Sequence, residues 1–239
     1  MILIPAAGEG RRFTEAGYKG PKHLLNLAGT PMIDWVIDNV FPLDPLGEIY
    51  VANQDWVGKT KGAVDTILKA TSAIQRTGVN PDLEPLVIAN CDQLIKIPDP
   101  VGNWGNGIVF TFKSSNPAHS YVTVDDKYQI TSIVEKPTTP PSLNAVSGVY
   151  CFPTGGPFLK ACRLVSQGIS PTASVGPDLG GEQYVSSALA MMIASGLTLY
   201  AVDAPTAILG TPEDFQRFEV VHNIIAAKTS FEWTVEGLA

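Results

Sequence analysis

The sequence predicts an α/β fold built on a mostly parallel, mixed β-sheet, and two observations lead to that prediction. In residues 1–90, short apolar runs alternate with stretches whose apolar residues recur at helical spacing. The resulting order of strand, helix, strand, helix and strand favours parallel strands joined by right-handed crossovers. After residue 106, several strand-like runs follow one another with turns between them, which indicates mixed or antiparallel additions to the sheet.

The individual elements follow from local patterns. Apolar runs predict the strands, and the wholly apolar run at 86–89 is typical of a strand buried on both faces. Proline at position 31 suits the first residue of a helix, whose apolar stripe then recurs at helical spacing. Thr211 caps a last helix, with Pro212 and acids in its first turn. The predicted strands are 1–4, 49–52, 86–89, 107–112, 121–124, 129–135, 145–152 and 197–202. The predicted helices are 31–40, 61–73, 158–166, 184–194 and one from 211, and 169–183 is expected to form a loop over the cleft.

Length and composition indicate a single folded domain over 1–239. The chain has 239 residues, of which 45% are hydrophobic and 16% charged, enough for one sizeable core. Its formal net charge of -7 disfavours a nucleic-acid partner, although local arginines and a metal could still attract a small phosphate ligand. The three cysteines fit neither a zinc pattern nor a disulfide framework and are expected to be free thiols. Without a leader pattern or an apolar run of about 18 residues, we expect a cytoplasmic protein without a membrane partner.

The first predicted strand runs directly into a loop of small residues, glycines and arginines, residues 4–13 (IPAAGEGRRF). Small side chains let backbone N–H groups approach an anion, and arginine forks suit phosphate oxygens. In open α/β sheets a nucleotide binds at such a strand end. The alternative is a tight turn whose arginines face solvent. The loop is not a Walker loop, because Arg11 follows Gly10, nor a dinucleotide fingerprint, because Phe13 replaces the third glycine.

A second candidate lies at the end of the strand predicted at 86–89. Asp92 follows that strand closely, and a carboxylate at this edge of the sheet is well placed to hold Mg2+ between phosphate groups. An aspartate that caps a turn is the alternative.

Three spaced elements together resemble the signature of the sugar-phosphate nucleotidyltransferases. They are residues 5–13 (PAAGEGRRF), 16–22 (AGYKGPK) and 29–33 (GTPMI). The resemblance implies the GT-A-like fold, a three-layer α/β/α arrangement, with a nucleotide-binding half at 1–112 and an acceptor-binding half at 113–239. The AGYKGPK variant is similar to that of bacterial capsule and lipopolysaccharide members. The likeness covers nearly the whole chain and weakens between 155 and 181.

The resemblance also implies roles for individual residues. Lys22 contacts the phosphates during transfer, Arg12 holds the triphosphate, and both are expected to be catalytic together with Asp92, the metal ligand. Catalysis of this kind needs positioning and charge neutralisation. The remaining nucleotide-binding residues are expected to be Ala6, Ala7, Gly8, Glu9, Gly10, Arg11, Asn53, Gly62, Ala63 and Asn90. The expected acceptor-binding residues are Glu135, Lys136, Gly148 and Glu182.

One departure from the family pattern concerns the metal site. Many members carry an aspartate two residues before the Gly-Thr of the last element, and Ile208 occupies that position here. Glu182 and Asp203 are the acids that could substitute for it.

These observations favour an Mg2+-dependent enzyme that joins an NTP to a phosphorylated acceptor, most simply a sugar 1-phosphate, and releases pyrophosphate. Three alternatives remain: a cytidylyltransferase acting on a phosphorylated alcohol or amino acid derivative, a GT-A-type glycosyltransferase, and a non-catalytic nucleotide-binding module. The expected partners are the NTP and the acceptor, and a homodimer is kept open.

Overall fold

The computed structural model describes residues 1–98, 104–169 and 182–223. The strands are β1 (Ile2–Pro5), β2 (Asn26–Leu27), β3 (Thr30–Pro31), β4 (Ile49–Ala52), β5 (Leu86–Ala89), β6 (Gln93–Ile95), β7 (Gly107–Lys113), β8 (Tyr121–Val124), β9 (Ile130–Val134), β10 (Asn144–Phe152), β11 (Leu199–Asp203) and β12 (Thr206–Ile208). The helices are α1 (Arg11–Glu15), α2 (Met32–Val40), α3 (Gln54–Val57), α4 (Ala63–Gln75), α5 (Gly156–Ser166), α6 (Val185–Ala194) and α7 (212–223).

The central sheet is mixed, and most of its strands run in one direction. Its main path has the order β11-β7-β10-β5-β1-β4. β1 pairs in parallel with β4 and β5, and β11 pairs in parallel with β7. β10 is antiparallel to both of its neighbours, β5 and β7, so it alone reverses direction along that path. The β8–β9 hairpin joins the sheet through β10, which confirms the predicted antiparallel addition.

Helices cover both faces of the sheet, so the predicted three-layer arrangement is confirmed. Alternate strand residues point to opposite faces, as the pleat requires. Leu3 belongs to the larger core cluster, which also contains buried side chains of α4, α5 and α6. Its neighbours Ile2 and Ile4 belong to the second cluster, together with the buried stripe of α2.

Most predicted elements are present, with small shifts in their ends. The helix predicted at 61–73 spans Ala63–Gln75, and the one predicted to begin at Pro31 begins at Met32. Pro31 instead ends β3, because β2 and β3 form a hairpin in which Asn26 is opposite Pro31. The short helices α1 and α3 were not predicted.

The two predicted halves share one sheet. The boundary placed at 112 falls inside β7, and β10 from the second half lies between β5 and β7. Most of the loop predicted at 169–183 lies outside the described residues. Within the described ranges, every helix is too short or too polar to cross a bilayer.

Candidate active site

A cleft of about 930 Å³ opens at the carboxyl ends of β1 and β5. It brings together most of the residues that the sequence singled out. Those that line it are Ala6, Ala7, Gly8, Glu9, Gly10, Arg11, Arg12, Lys22, Gly62, Ala63, Asn90, Asp92 and Glu182. Strand ends from the first half of the chain therefore converge on one cavity, as expected for an open α/β sheet.

The loop after β1 is anchored at its start and exposed at its tip. The backbone N–H of Ala6 donates to the Ala52 carbonyl at 2.9 Å, and Gln54 Nε2 donates to the Ala7 carbonyl at 2.9 Å. Both alanines are buried, whereas Glu9 at the tip is exposed. The small residues thus keep the loop close to the sheet while its outer part faces the cleft.

The two arginines differ in their surroundings. Arg11 Nε donates to the Glu9 carboxylate at 3.1 Å on the exposed surface. Arg12 lines the cleft with an exposed side chain that has no ion-pair partner among the described residues. Arg12 is therefore the arginine that is free to bind an incoming anion.

Lys22 and Asp92 form an ion pair within the cleft. Lys22 Nζ lies 2.5 Å from Asp92 Oδ2 and 3.5 Å from the Gly210 carbonyl oxygen. It also lies 5.3 Å from the centre of the Phe13 ring. Burial alone would lower the pKa of Lys22, but the Asp92 carboxylate opposes that effect strongly, and the net pKa is raised. Lys22 therefore remains a cation at neutral pH.

Two backbone hydrogen bonds fix the turn that carries Asp92, between β5 and β6. The Asp92 carbonyl accepts from Leu209 N at 2.8 Å, and the N–H of Asn90 donates to the Gly148 carbonyl at 3.0 Å. β12 is antiparallel to β6, and its last residue, Ile208, lies opposite Gln93, the residue that follows Asp92. A Cβ placed on Gly210 would lie 3.4 Å from Ile208 Cγ2 and 3.6 Å from Asp92 Oδ2. An aliphatic side chain therefore occupies the position at which the sequence resemblance implies a second carboxylate.

The segment that contains Gly62 and Ala63, two of the expected nucleotide-binding residues, is packed against main chain. Gly62 has φ +123°, and a Cβ there would lie 2.7 Å from the carbonyl oxygen of Gln183. Gln183 is held in place by two hydrogen bonds, from its N–H to the Lys61 carbonyl at 2.9 Å and from Val64 N to its own carbonyl at 3.1 Å. Only glycine fits at position 62, because residues 182–183 cross directly over it.

The structure assigns different positions to Asn53 and Gln54. Asn53 Oδ1 accepts from the N–H of Trp56 at 3.1 Å and so caps α3. Gln54 lines the cleft, and Asn53 is not among the described residues that do so. An asparagine before a short helix is a typical cap, so its preference for this position could have been read from the sequence.

Of the expected acceptor residues, Glu182 lines the cleft, whereas Glu135, Lys136 and Gly148 are not among the described residues that line it. The Glu135 carboxylate accepts from the hydroxyls of Ser120 and Ser186, both at 2.5 Å. Lys136 Nζ donates to the hydroxyl of Tyr184 at 3.0 Å, and that hydroxyl donates to the Glu182 carboxylate. Since Glu182 lines the cleft, this polar network connects the acceptor residues to the nucleotide side.

Gly148 leaves room for two side-chain amides. Its φ is +86°, and a Cβ there would lie 2.4 Å from Gln93 Nε2 and 2.5 Å from Asn90 Nδ2. Gln93 is only 3% exposed, and its Nε2 has no hydrogen-bond partner within the part of the chain that the structure describes. The space beside Gly148 is therefore occupied by carboxamides of the chain itself.

The cleft differs from the rest of the molecule in charge. Five basic side chains line it, Arg11, Arg12, Lys22, Lys59 and Lys61, and three acidic ones, Glu9, Asp92 and Glu182. This gives a local excess of two positive charges in a chain whose formal charge is -7. Such focusing favours an anionic ligand.

Several residues of the site were not predicted from the sequence. Lys59 and Lys61 line the cleft immediately before Gly62, and a basic run beside a predicted ligand loop is a signal that could have revealed them. Tyr184 and Ser186 have no such signal, because their roles depend on contacts with residues 48 and 51 positions away in sequence.

All three cysteines are free thiols, as predicted. Cys91 lies between Asn90 and Asp92 in the cleft lining, and burial raises its pKa to about 12. Its thiol is therefore protonated at neutral pH.

Comparison with known proteins connects this geometry to one class of fold. No protein-family model matches the chain. The nucleoside-diphosphate-sugar pyrophosphorylase of Vibrio cholerae RC9 has a similar structure, with a TM-score of 0.72 and 20% identity over 92% of this chain and 99% of that one. A UDP-glucose pyrophosphorylase complexed with UDP-glucose gives a TM-score of 0.66 and 16% identity over 93% of this chain and 97% of that one. The chain thus has the fold of the nucleotide-sugar pyrophosphorylases, and the predicted fold is confirmed.

One curated relative resembles the chain in sequence. The UTP–glucose-1-phosphate uridylyltransferase AglF of Haloferax volcanii is 34% identical over 92 residues, which are 38% of this chain. The match spans about a third of the length of that relative, 33%.

Proposed function

We propose that the protein is a nucleotidyltransferase that joins an NTP to a sugar 1-phosphate, giving an NDP-sugar and pyrophosphate. The observation that carries the proposal is that Arg12, Lys22 and Asp92 line one cleft with an excess of positive charge. A triphosphate supplies the negative charge that such a cleft attracts. The fold shared with nucleotide-sugar pyrophosphorylases supports the same reaction class.

The reaction needs positioning and charge neutralisation more than proton transfer. A phosphate oxygen of the acceptor attacks the α-phosphorus of the NTP, the bond to the bridging oxygen of the β-phosphate breaks, and pyrophosphate leaves. The attacking oxygen is already anionic, so a strong general base is not required. Arg12 and Lys22 are assigned to bind the phosphates and to stabilise the charge that builds up in the transition state.

Mg2+ is the metal that fits this site. In proteins Mg2+ binds one or two carboxylates together with substrate phosphates and water, and Asp92 presents a carboxylate to the cleft beside Lys22. The described residues contain no cluster of three or more His, Cys, Asp or Glu side chains that could hold a metal. Asp92 would therefore share the ion with the nucleotide, and the ion would supply neutralisation of phosphate charge.

The proposal extends to the substrates and to the cellular role. Similarity to a UTP–glucose-1-phosphate uridylyltransferase makes UTP and glucose 1-phosphate the first substrates to test. The resemblance of the AGYKGPK run supports a place in capsule or lipopolysaccharide synthesis, which is a cytoplasmic activity in this proposal.

A release assay tests the proposal directly. The protein is incubated in Mg2+ with UTP, dTTP, CTP, GTP or ATP and with each of a panel of sugar 1-phosphates and phosphorylated alcohols, and pyrophosphate and the nucleotide product are measured. A parallel incubation with a nucleotide-sugar measures its consumption. We expect equal amounts of both products for at least one pair. Pyrophosphate only with CTP and a phosphorylated alcohol, consumption of a nucleotide-sugar without pyrophosphate, or NTP binding without turnover would each overturn the proposal in favour of one alternative.

Matched acidic variants complete the assay. Asp92→Asn keeps the shape of the side chain but loses its charge, so we expect turnover to fall and the Mg2+ requirement to rise. Asp126→Asn changes an exposed acid in the turn after β8 and should behave as wild type.

A further inference from the structure

We propose that Tyr184 is a positioning residue, which holds the Lys136 ammonium in place for the phosphorylated acceptor. The inference rests on the proposed function, since it concerns the acceptor side of the same site. Tyr184 immediately precedes α6, and no feature of the sequence marks it for this role.

The contacts around Lys136 identify Tyr184 as its hydrogen-bond partner. Lys136 Nζ lies 3.0 Å from the Tyr184 hydroxyl oxygen and 4.2 Å from the centre of the ring. The distance to the Glu135 carboxylate is 3.8 Å, which is too long for a hydrogen bond. The ammonium is therefore held by a hydroxyl and an aromatic face, which leave more of its positive charge available than a close carboxylate would.

The backbone of Lys136 supports a positioning role. Lys136 has φ +40°, in the left-handed region that residues other than glycine rarely adopt. Such a conformation persists where surrounding contacts impose it, and it is concentrated at functional sites. The contact with Tyr184 is one of those that fix the direction of the lysine side chain.

Tyr184 itself is held from both sides of the site. Residues 182–186, which we call the bridging segment, contact both the nucleotide side and the acceptor side. Gln183 forms two main-chain hydrogen bonds with the loop around Gly62, at 2.9 and 3.1 Å. Ser186 donates to the Glu135 carboxylate at 2.5 Å, and the Tyr184 hydroxyl donates to Glu182. The tyrosine hydroxyl therefore has a fixed position between the two substrate subsites.

Loss of the hydroxyl would change the acceptor site specifically. Without the Tyr184 hydroxyl as its hydrogen-bond partner, the Lys136 ammonium is drawn towards the Glu135 carboxylate, which already lies 3.8 Å away. A tighter lysine–glutamate pair would present less positive charge to an acceptor phosphate. The bridging segment would stay in place, because its main-chain bonds to Lys61 and Val64 do not involve the hydroxyl.

Tyr184→Phe tests this role, with Tyr128→Phe as the matched control. Tyr128 is 68% exposed in the turn between β8 and β9, so removal of its hydroxyl should leave the kinetics at the wild-type values. For Tyr184→Phe we expect the KM for the sugar 1-phosphate to rise roughly tenfold, while kcat and the KM for the NTP change by less than about twofold. An unchanged acceptor KM, or an equal rise in both KM values, would overturn the inference.

A measurement independent of turnover checks the contact itself. Acetic anhydride modifies neutral amines, and mass spectrometry gives the rate at Lys136 in the wild type and in Tyr184→Phe. We expect slower acetylation in the variant, because a tighter pair with Glu135 keeps more of the Lys136 amine protonated. Equal rates would contradict the contact. If the wild type releases no pyrophosphate with any substrate pair, the proposed function fails and this role fails with it. If the wild type is active and the variant matches it, only the inference fails.

Discussion

Lys22 Nζ lies 2.5 Å from Asp92 Oδ2, so a cation and a carboxylate with different assigned roles neutralise each other in the structure. In the proposed reaction Lys22 binds phosphate and Asp92 binds metal, so substrate binding must separate the pair. Their side chains are 16% and 26% exposed. A partly exposed pair of this kind contributes little net stability, which keeps both groups available for the substrate.

Removal of the cation should therefore affect turnover far more than folding. For Lys22→Ala we expect kcat to fall by roughly 100-fold or more, because a charge that stabilises the transition state is lost. Unfolding free energy should fall by only about 1 kcal/mol. Pyrophosphate release and urea unfolding measure the two effects, and NTP binding should persist. Lys19→Ala changes an exposed lysine in the same loop and is the control. Near-normal turnover in Lys22→Ala would refute the assigned role.

A second carboxylate at position 208 should strengthen metal binding. Ile208 and Asp92 both lie close to Gly210. A Cβ placed on Gly210 would lie 3.4 Å from Ile208 Cγ2 and 3.6 Å from Asp92 Oδ2. Ile208→Asp would place two negative charges beside the cleft, and Mg2+ prefers carboxylate oxygens. We expect the Mg2+ concentration for half-maximal activity to fall severalfold, about 1 kcal/mol in binding. Titration of activity with MgCl2 measures the change.

The control for that variant is Ile208→Asn, which has the same size without the charge. Its Mg2+ dependence should match that of the wild type. A rise in the Mg2+ requirement of Ile208→Asp would mean that the new carboxylate pairs with Lys22 instead of the metal.

Gly148 offers a test of packing beside the acceptor residues. Gly148→Ala would place a methyl group 2.4 Å from Gln93 Nε2 and would also strain a backbone at φ +86°. Gly196 has φ +80°, and a Cβ there would have no atom within 4 Å, so Gly196→Ala reports the backbone strain alone. We expect a loss of about 1 kcal/mol for Gly196→Ala and about 3 kcal/mol for Gly148→Ala in urea unfolding. Equal losses would show that the two amides move aside without cost.

The fold was predictable because its signals are local. The apolar run at 86–89 and the periodic stripe of α2 are each visible within ten residues, and alternation of such runs leads to a parallel sheet. The convergence of Lys22 and Asp92 was predictable for a related reason. Loops that follow parallel strands meet at one edge of the sheet, so residues 70 positions apart become neighbours.

The acceptor side could not be predicted in the same way. The contact between Lys136 and Tyr184 depends on how α6 packs against the β8–β9 hairpin, which is tertiary information that no short pattern carries. The close approach of Gln93 to Gly148, at the place where the register of β10 with β7 shifts, is tertiary information of the same kind. Local sequence rules describe strands and caps, whereas these contacts arise from the packing of distant elements.

The stability of the protein should depend on pH through His23. This histidine lines the cleft but is only 5% exposed, and burial lowers its pKa from the usual 6.5, with Asp55 opposing the effect more weakly. A histidine whose pKa is lower in the folded state binds protons more readily when unfolded, so its contribution is complete above pH 6.5 and is lost as the pH falls towards the folded value. We expect the free energy of unfolding to fall between pH 7.5 and pH 5.5, and to fall less in His23→Gln. Urea unfolding at the two pH values measures this difference. Burial lowers the pKa of His119 as well, so His119→Gln should remove a separate part of the pH dependence of the unfolding free energy. A His23→Gln variant with the full pH dependence of the wild type would show that the buried imidazole does not control it.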